Sequence, residues 1–119
     1  MNIKDIAQKL NMKIIDEDEN WIIFKIASNM HIFYLQSKNN QFIVERDLFE
    51  YLDSNKLPYS FLLYDSTSHK YYFLDLARKN NWVKSCFDTC NKDEIFLGKQ
   101  VLNNVINLDW FIKYVKRIS

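Results

Sequence analysis

Apolar residues recur at Ile3, Ile6, Ala7 and Leu10. This three-and-four spacing gathers them on one helical face, so residues 3–11 are expected to form an amphipathic helix. Asn2 is placed to cap it. The period then changes. Met12 to Ile15 reads as a short strand leading into the acidic block Asp16-Glu17-Asp18-Glu19. Trp21-Ile22-Ile23-Phe24-Lys25-Ile26-Ala27 is β-branched and aromatic, the composition of a strand. Ser28-Asn29 supplies turn chemistry, and Met30 to Gln36 returns as the second strand of a hairpin. Lys38-Asn39-Asn40 is expected as a loop, and Phe42-Ile43-Val44 as a short edge strand or a lead-in to the next helix.

Leu48, Phe49, Tyr51 and Leu52 lie on a helical repeat within Arg46 to Ser54. Asn55-Lys56-Leu57-Pro58 ends it, because proline disfavours helix in the residue before it. Tyr59-Ser60-Phe61-Leu62-Leu63-Tyr64 is apolar on both faces, as a central strand would be. Asp65 to His69 is a turn, and Lys70 to Ala77 a further strand. Arg78 to Glu94 has no clean period: Asn80-Asn81 interrupts it, and Trp82, Val83 and Phe87 anchor it. Ile95-Phe96-Leu97 reads as a short strand followed by a turn at Gly98. Leu108 to Ile118 is a helix, with Asp109 near its start and Lys113, Lys116 and Arg117 towards its end, a polarity that suits the helix dipole. The order is helix, strands, helix, strands, helix. It predicts one α/β (α+β) domain over residues 1–119, with a central mixed β-sheet flanked by helices.

Composition narrows the function classes. At 119 residues and 48% apolar, the chain is long enough for a real core. Gly98 and Pro58 are the only residues of their kinds, which argues against a turn-dense β-sandwich and against a glycine loop cradling phosphates. Net charge is +1, not the footprint of a protein that coats nucleic acid through charge alone. No apolar run approaches the ~20 residues of a membrane span, and Met1-Asn2-Ile3-Lys4-Asp5 is too mixed for a signal peptide. Cys86 and Cys90 are therefore expected as reduced thiols in a cytoplasmic protein.

The chemistry sits where the apolar run Ile32 to Leu35 ends in Gln36-Ser37-Lys38. Alternation along a strand projects Gln36 and Lys38 from one face. In metal-dependent nucleases an amide or carboxylate and a lysine so placed hold a cation and steer a water towards a phosphate. Downstream come Asp47-Leu48 with Tyr51-Leu52, then Leu57-Pro58-Tyr59, Leu62-Leu63-Tyr64-Asp65 and Lys70-Tyr71-Tyr72-Phe73-Leu74. In this order the chain resembles the PD-(D/E)xK nuclease superfamily over roughly residues 18–76, and more narrowly a branch whose motif is Gln-x-Lys. The resemblance implies a restriction-endonuclease-like fold and hydrolysis of DNA or RNA phosphodiesters with Mg²⁺ or Mn²⁺. A carboxylate opening the preceding strand, together with Gln36, would hold the metal, and Lys38 would orient the attacking water or stabilise developing charge. Asp5 is the candidate for a further acid from the first helix. Duplex cleavage needs two sites, which makes a homodimer or a partner subunit an expectation.

The chain departs from that pattern where the acid should stand. Asn20 occupies the position, with Asp18 and Glu19 just upstream. Asn20 and Gln36 are both neutral, whereas Mg²⁺ usually takes at least one carboxylate. Either Asp18 or Glu19 turns into the site, or the fold is kept and cleavage is lost. The second case describes a non-enzymatic phage or mobile-element protein that binds and inhibits a host or defence protein, its acidic block imitating phosphates.

Other signals have plainer readings. Cys86 and Cys90 lack further ligands for zinc, because His31 and His69 lie far off in sequence. Residues 3–12 look like the first helix of a helix-turn-helix, but an acidic run follows where a recognition helix should begin. Tyr59, Tyr71, Tyr72, Phe73 and Trp82 are able to stack unpaired bases, although aromatic strands more often supply core. His31 and His69 are expected in solvent.

Overall fold

A computed structural model describes residues 2–26, 30–37, 42–54, 59–74, 94–97 and 105–118. Helix α1 (Ile3–Lys9) starts at an extended Asn2, whose Oδ1 accepts the Asp5 N–H at 2.9 Å. It stops earlier than its apolar spacing suggests. Asn11 takes a left-handed φ of 55°, the Asn11 N–H returns to Gln8 O, and the Met12 N–H returns to Ala7 O at 2.8 Å. Those paired return bonds satisfy carbonyls that a helix end leaves open, and asparagine tolerates the turn better than most residues.

Three strands follow as an antiparallel meander: β1 (Lys13–Glu17), β2 (Trp21–Lys25) and β3 (His31–Gln36). The first runs further into the acidic block than expected, so that Asp16 and Glu17 pair with Ile23 and Ile22. It lies at the sheet edge, all five of its residues are exposed, and its register slips between Ile14 and Asp16, the mark of a bulge. Strand β4 (Phe42–Glu45) passes directly into α2 (Arg46–Ser54), and β5 (Tyr59–Asp65) returns parallel to β3, with His31 opposite Tyr59 and Gln36 opposite Tyr64. Next to it lies β6 (Lys70–Leu74). Strand β7 (Glu94–Leu97) pairs with β4, so β4 belongs to a separate two-stranded sheet and not to an edge of the main one. The short β8 (Val105–Ile106) closes the far edge, and α3 (Leu108–Ile118) ends the described chain. The main sheet is mixed and six-stranded, in the order β1-β2-β3-β5-β6-β8.

Alternation divides the strands between two cores. Ile23, Phe33, Leu35, Phe61, Leu63, Tyr72 and Leu74 share one with Phe42 and Val44 of β4, and Leu48 of α2 packs against it. Ile22, Phe24, Ile32, Tyr34, Leu62 and Phe73 share the other with Ile3, Ile6 and Ala7 of α1 and Phe111, Tyr114 and Val115 of α3. The sheet is thus covered on both faces, which explains why β5 is apolar throughout. Together these elements make one compact α+β unit, with three helices among the described residues. His31 is only 4% exposed, against the expectation of a solvated side chain. It opens β3 and is paired on both sides, with Lys25 and with Tyr59. The expected turn at Ser28-Asn29, the loop 38–40, the break at Pro58, the end of the strand to Ala77, the stretch from Arg78 with Cys86 and Cys90, and the turn at Gly98 lie outside the described residues.

The turn after β5 is clamped to the end of β3. Asp65 accepts the Thr67 N–H at 3.0 Å and the Ser68 hydroxyl at 2.9 Å, and Ser37 Oγ reaches it at 3.3 Å while accepting the Ser66 N–H at 3.1 Å. Desolvation pushes the Asp65 carboxyl up, but the bonds from Ser68, Thr67 and Ser37 together outweigh it and hold the group below its ordinary range. A depressed carboxylate stabilises the fold above its unfolded pKa, and that contribution disappears as pH falls through the folded value. Asp65→Asn should therefore cost stability at neutral pH, and the cost should shrink progressively as pH falls below about 4. Urea midpoints measured across that range for both proteins check this; a gap independent of pH would contradict it.

Candidate functional site

The β1–β2 turn and the end of β3 are built together. The Asp18 N–H donates to Trp21 O at 2.9 Å and closes the turn, and Asp18 Oδ1 accepts the Glu19 N–H at 2.7 Å. The Gln36 N–H donates to Asn20 O at 2.8 Å, which sets Asn20 beside Gln36. Across the sheet Gln36 faces Tyr64, and Tyr64 faces Tyr71. Asn20, Gln36, Tyr64 and Tyr71 thus form one row. A row further in, Tyr34 lies opposite Ile22.

These rows floor a cleft of about 540 Å³. Asn2 and Lys4 of the first helix form one wall, Asp18 and Glu19 of the turn stand at another, and Tyr34, Gln36, Tyr64 and Tyr71 complete the lining. Lys4 Nζ is held at 2.8 Å from Glu17 Oε2. Tyr64 Oη lies 2.9 Å from His69 Nδ1, and the Tyr64 and Tyr71 rings are 4.7 Å apart. Burial, with smaller effects from Tyr71 and Tyr64, raises the Tyr34 phenol well above its usual pKa. Burial and then Tyr64 raise that of Tyr71. Both phenols are therefore neutral hydrogen-bond donors at physiological pH. No hydrogen bond to a described residue engages the Tyr34 hydroxyl or the side-chain amides of Asn20 and Gln36.

Four residues singled out from sequence, Asp18, Glu19, Asn20 and Gln36, meet in this cleft. Asp5 does not: it is exposed on α1, outside the lining. Lys38 lies outside the described residues. Sequence reasoning missed Lys4, Tyr34 and Tyr64 as site residues and weighed Tyr71 only as a base-stacking ring, with core the preferred reading. Tyr34 was within reach, since it stands two positions before Gln36 and shares its face. Tyr64 and Tyr71 join only through the registers of β3 with β5 and of β5 with β6.

The oxygen donors suit a hard cation in kind. Asp18 and Glu19 offer carboxylates, Asn20 and Gln36 amide oxygens, and Mg²⁺ is often held by one or two carboxylates with waters completing the shell. One oxygen of Asp18 is already occupied by the turn. Among the described residues no three His, Cys, Asp or Glu side chains group to hold an ion. No described helix is long and apolar enough to cross a membrane. No protein-family model matches the chain, and comparison with curated proteins and with solved structures found no match.

Proposed function

We propose that this protein is a nuclease-like domain acting on nucleic acid, built on a restriction-endonuclease-like fold. The observation that carries the reading is the convergence of Gln36 and Asn20 with Asp18 and Glu19 in one cleft at the end of β3. The order of elements supports it too: a helix, three antiparallel strands, a short strand of the second sheet, a helix, and then a strand parallel to the third. Asp18 or Glu19, with the amide oxygens of Gln36 and Asn20, would hold Mg²⁺ or Mn²⁺. A metal so held supplies an acidified water and screens phosphate charge. Lys38, in the role the resemblance implies, would orient that water. Charge makes the cation a condition of binding. Among the described residues, Asp18 and Glu19 line the cleft against one cation, Lys4, which is already paired with Glu17. Phosphates are repelled until a metal inverts the local field.

The test uses purified protein, single- and double-stranded DNA and RNA, and Mn²⁺ or chelator. Metal-dependent cleavage is expected, falling by about 10²–10³ in Lys38→Ala. Absence of cleavage on every substrate, with no Mn²⁺ uptake, would overturn the hydrolytic reading. A second reading draws on the neutral Asn20 and Gln36 in the cleft. In it, a cytoplasmic phage or mobile-element protein keeps the scaffold and inhibits a host or defence protein. A specific protein partner, recovered with the inactive domain, would favour it.

A further inference from the structure

We propose that the cleft receives one unpaired nucleobase, so that the substrate class is single-stranded or locally opened nucleic acid. The inference rests on the nucleic-acid reading but not on hydrolysis. A volume of about 540 Å³ lies within the span of small-molecule sites, about 300–1,000 Å³. What distinguishes the cleft is uncommitted hydrogen-bonding capacity beneath a polar mouth. Tyr34 is only 8% exposed, yet its hydroxyl faces the cleft with no bond to a described residue. A hydroxyl at the mouth of a largely buried ring is free to bond a ligand without giving up a partner in the protein. Gln36 and Asn20, both half-buried and joined backbone to backbone, also line the cleft, and their amides make no hydrogen bond to a described residue. Each presents an acceptor and donors in one plane, the complement of a base edge, which carboxamides read in nucleic-acid complexes.

The remaining walls suit a flat ring. Tyr64 and Tyr71 line the cleft with their rings 4.7 Å apart, and the Tyr64 hydroxyl is steadied by His69. Aromatic rings are the usual platforms for unstacked bases. Charge selects the same part of a nucleotide. Asp18 and Glu19 disfavour an anion, whereas the base is neutral. A base inside a duplex has its pairing edge occupied and its faces stacked. It enters such a pocket only from a single strand, a loop, or after being turned out of the helix.

The experiment uses uncharged nucleosides in chelator, which removes phosphate and metal from the question. Adenosine, guanosine, cytidine and uridine are titrated by calorimetry, beside short single-stranded and duplex oligonucleotides. Saturable binding of at least one nucleoside is expected, weakened about tenfold or more in Gln36→Leu and in Tyr34→Phe. Tyr34→Phe keeps the ring, and circular dichroism verifies its fold. Lys113→Ala, on the exposed face of α3, should bind as the parent does. Failure of every nucleoside to bind, or binding indifferent to both cleft variants, overturns the inference, as does a duplex bound as tightly as a single strand. Metal-dependent duplex cleavage without nucleoside binding would remove this inference and leave the nuclease reading standing. Nucleoside binding without cleavage would support the pocket and remove hydrolysis.

Discussion

Phe33→Ala is expected to destabilise the protein by about 3–5 kcal/mol, a large part of the roughly 5–15 kcal/mol that holds a domain folded. Phe33 is 0% exposed at the middle of β3, which is paired on one side with β2 and on the other with β5. Its ring packs edge-on against Phe61 at 5.2 Å and lies 6.2 Å from Trp21. Phe42 and Val44 of β4 belong to the same core. Removing the ring forfeits its burial and opens a hole. The backbone has little freedom to close that hole, because both of its edges are hydrogen-bonded, and this places the cost high in the usual range. Urea denaturation of both proteins measures it. Val105→Ala, at 52% exposed on the outermost strand, should change stability by less than about 0.5 kcal/mol. Equal losses in the two variants would contradict the layer assignment.

Asn20→Asp is the second large effect, and it acts on chemistry. Asn20 is fixed beside Gln36 by a backbone bond of 2.8 Å, at the strand opening where the resemblance to nucleases places an acid. The substitution changes one atom and nearly preserves shape. It adds a full negative charge among oxygen donors, and the charge of the ligand set governs how tightly a divalent ion is held. Mn²⁺ binding is expected to tighten at least tenfold, about 1.4 kcal/mol, and metal-dependent cleavage should rise with it. Calorimetric titration with Mn²⁺ reads the first change, and cleavage of a labelled oligonucleotide the second. Unchanged affinity would mean that this corner of the cleft does not face a cation, and the nuclease reading would lose its main support.

The parts of the fold readable from sequence were those governed by local rules. Asn2 caps α1 as its side chain predicts. The helical repeats of α2 and α3 and the doubly apolar β5 are all observed. The illegible parts depend on partners distant in the chain. Nothing local shows that Phe42 to Glu45 pairs with Glu94 to Leu97, or that two residues, Val105 and Ile106, close an edge. His31 became buried because two strands flank it, a fact of pairing and not of its own character. The site divides in the same way. Asp18, Glu19, Asn20 and Gln36 were legible because a hairpin joins them over a short stretch. Tyr64 and Tyr71 arrive through a parallel crossover and a second turn, whose registers no motif encodes. Asp5, the expected further acid, stands clear of the cleft, and Asn2 and Lys4 line it instead.

The two helices that share a core, α1 and α3, are separated by nearly all of the described chain. Ribosomes emit a protein from its amino end at about 5–20 residues per second. The β-strands up to β6 therefore emerge before the helix that shields Phe73 exists, and Phe24, Ile32 and Leu62 wait with it for Phe111, Tyr114 and Val115. During synthesis this protein passes through a stage with a sticky, half-dressed surface. How long that surface stays bare depends on how soon α3 follows β6 out of the ribosome.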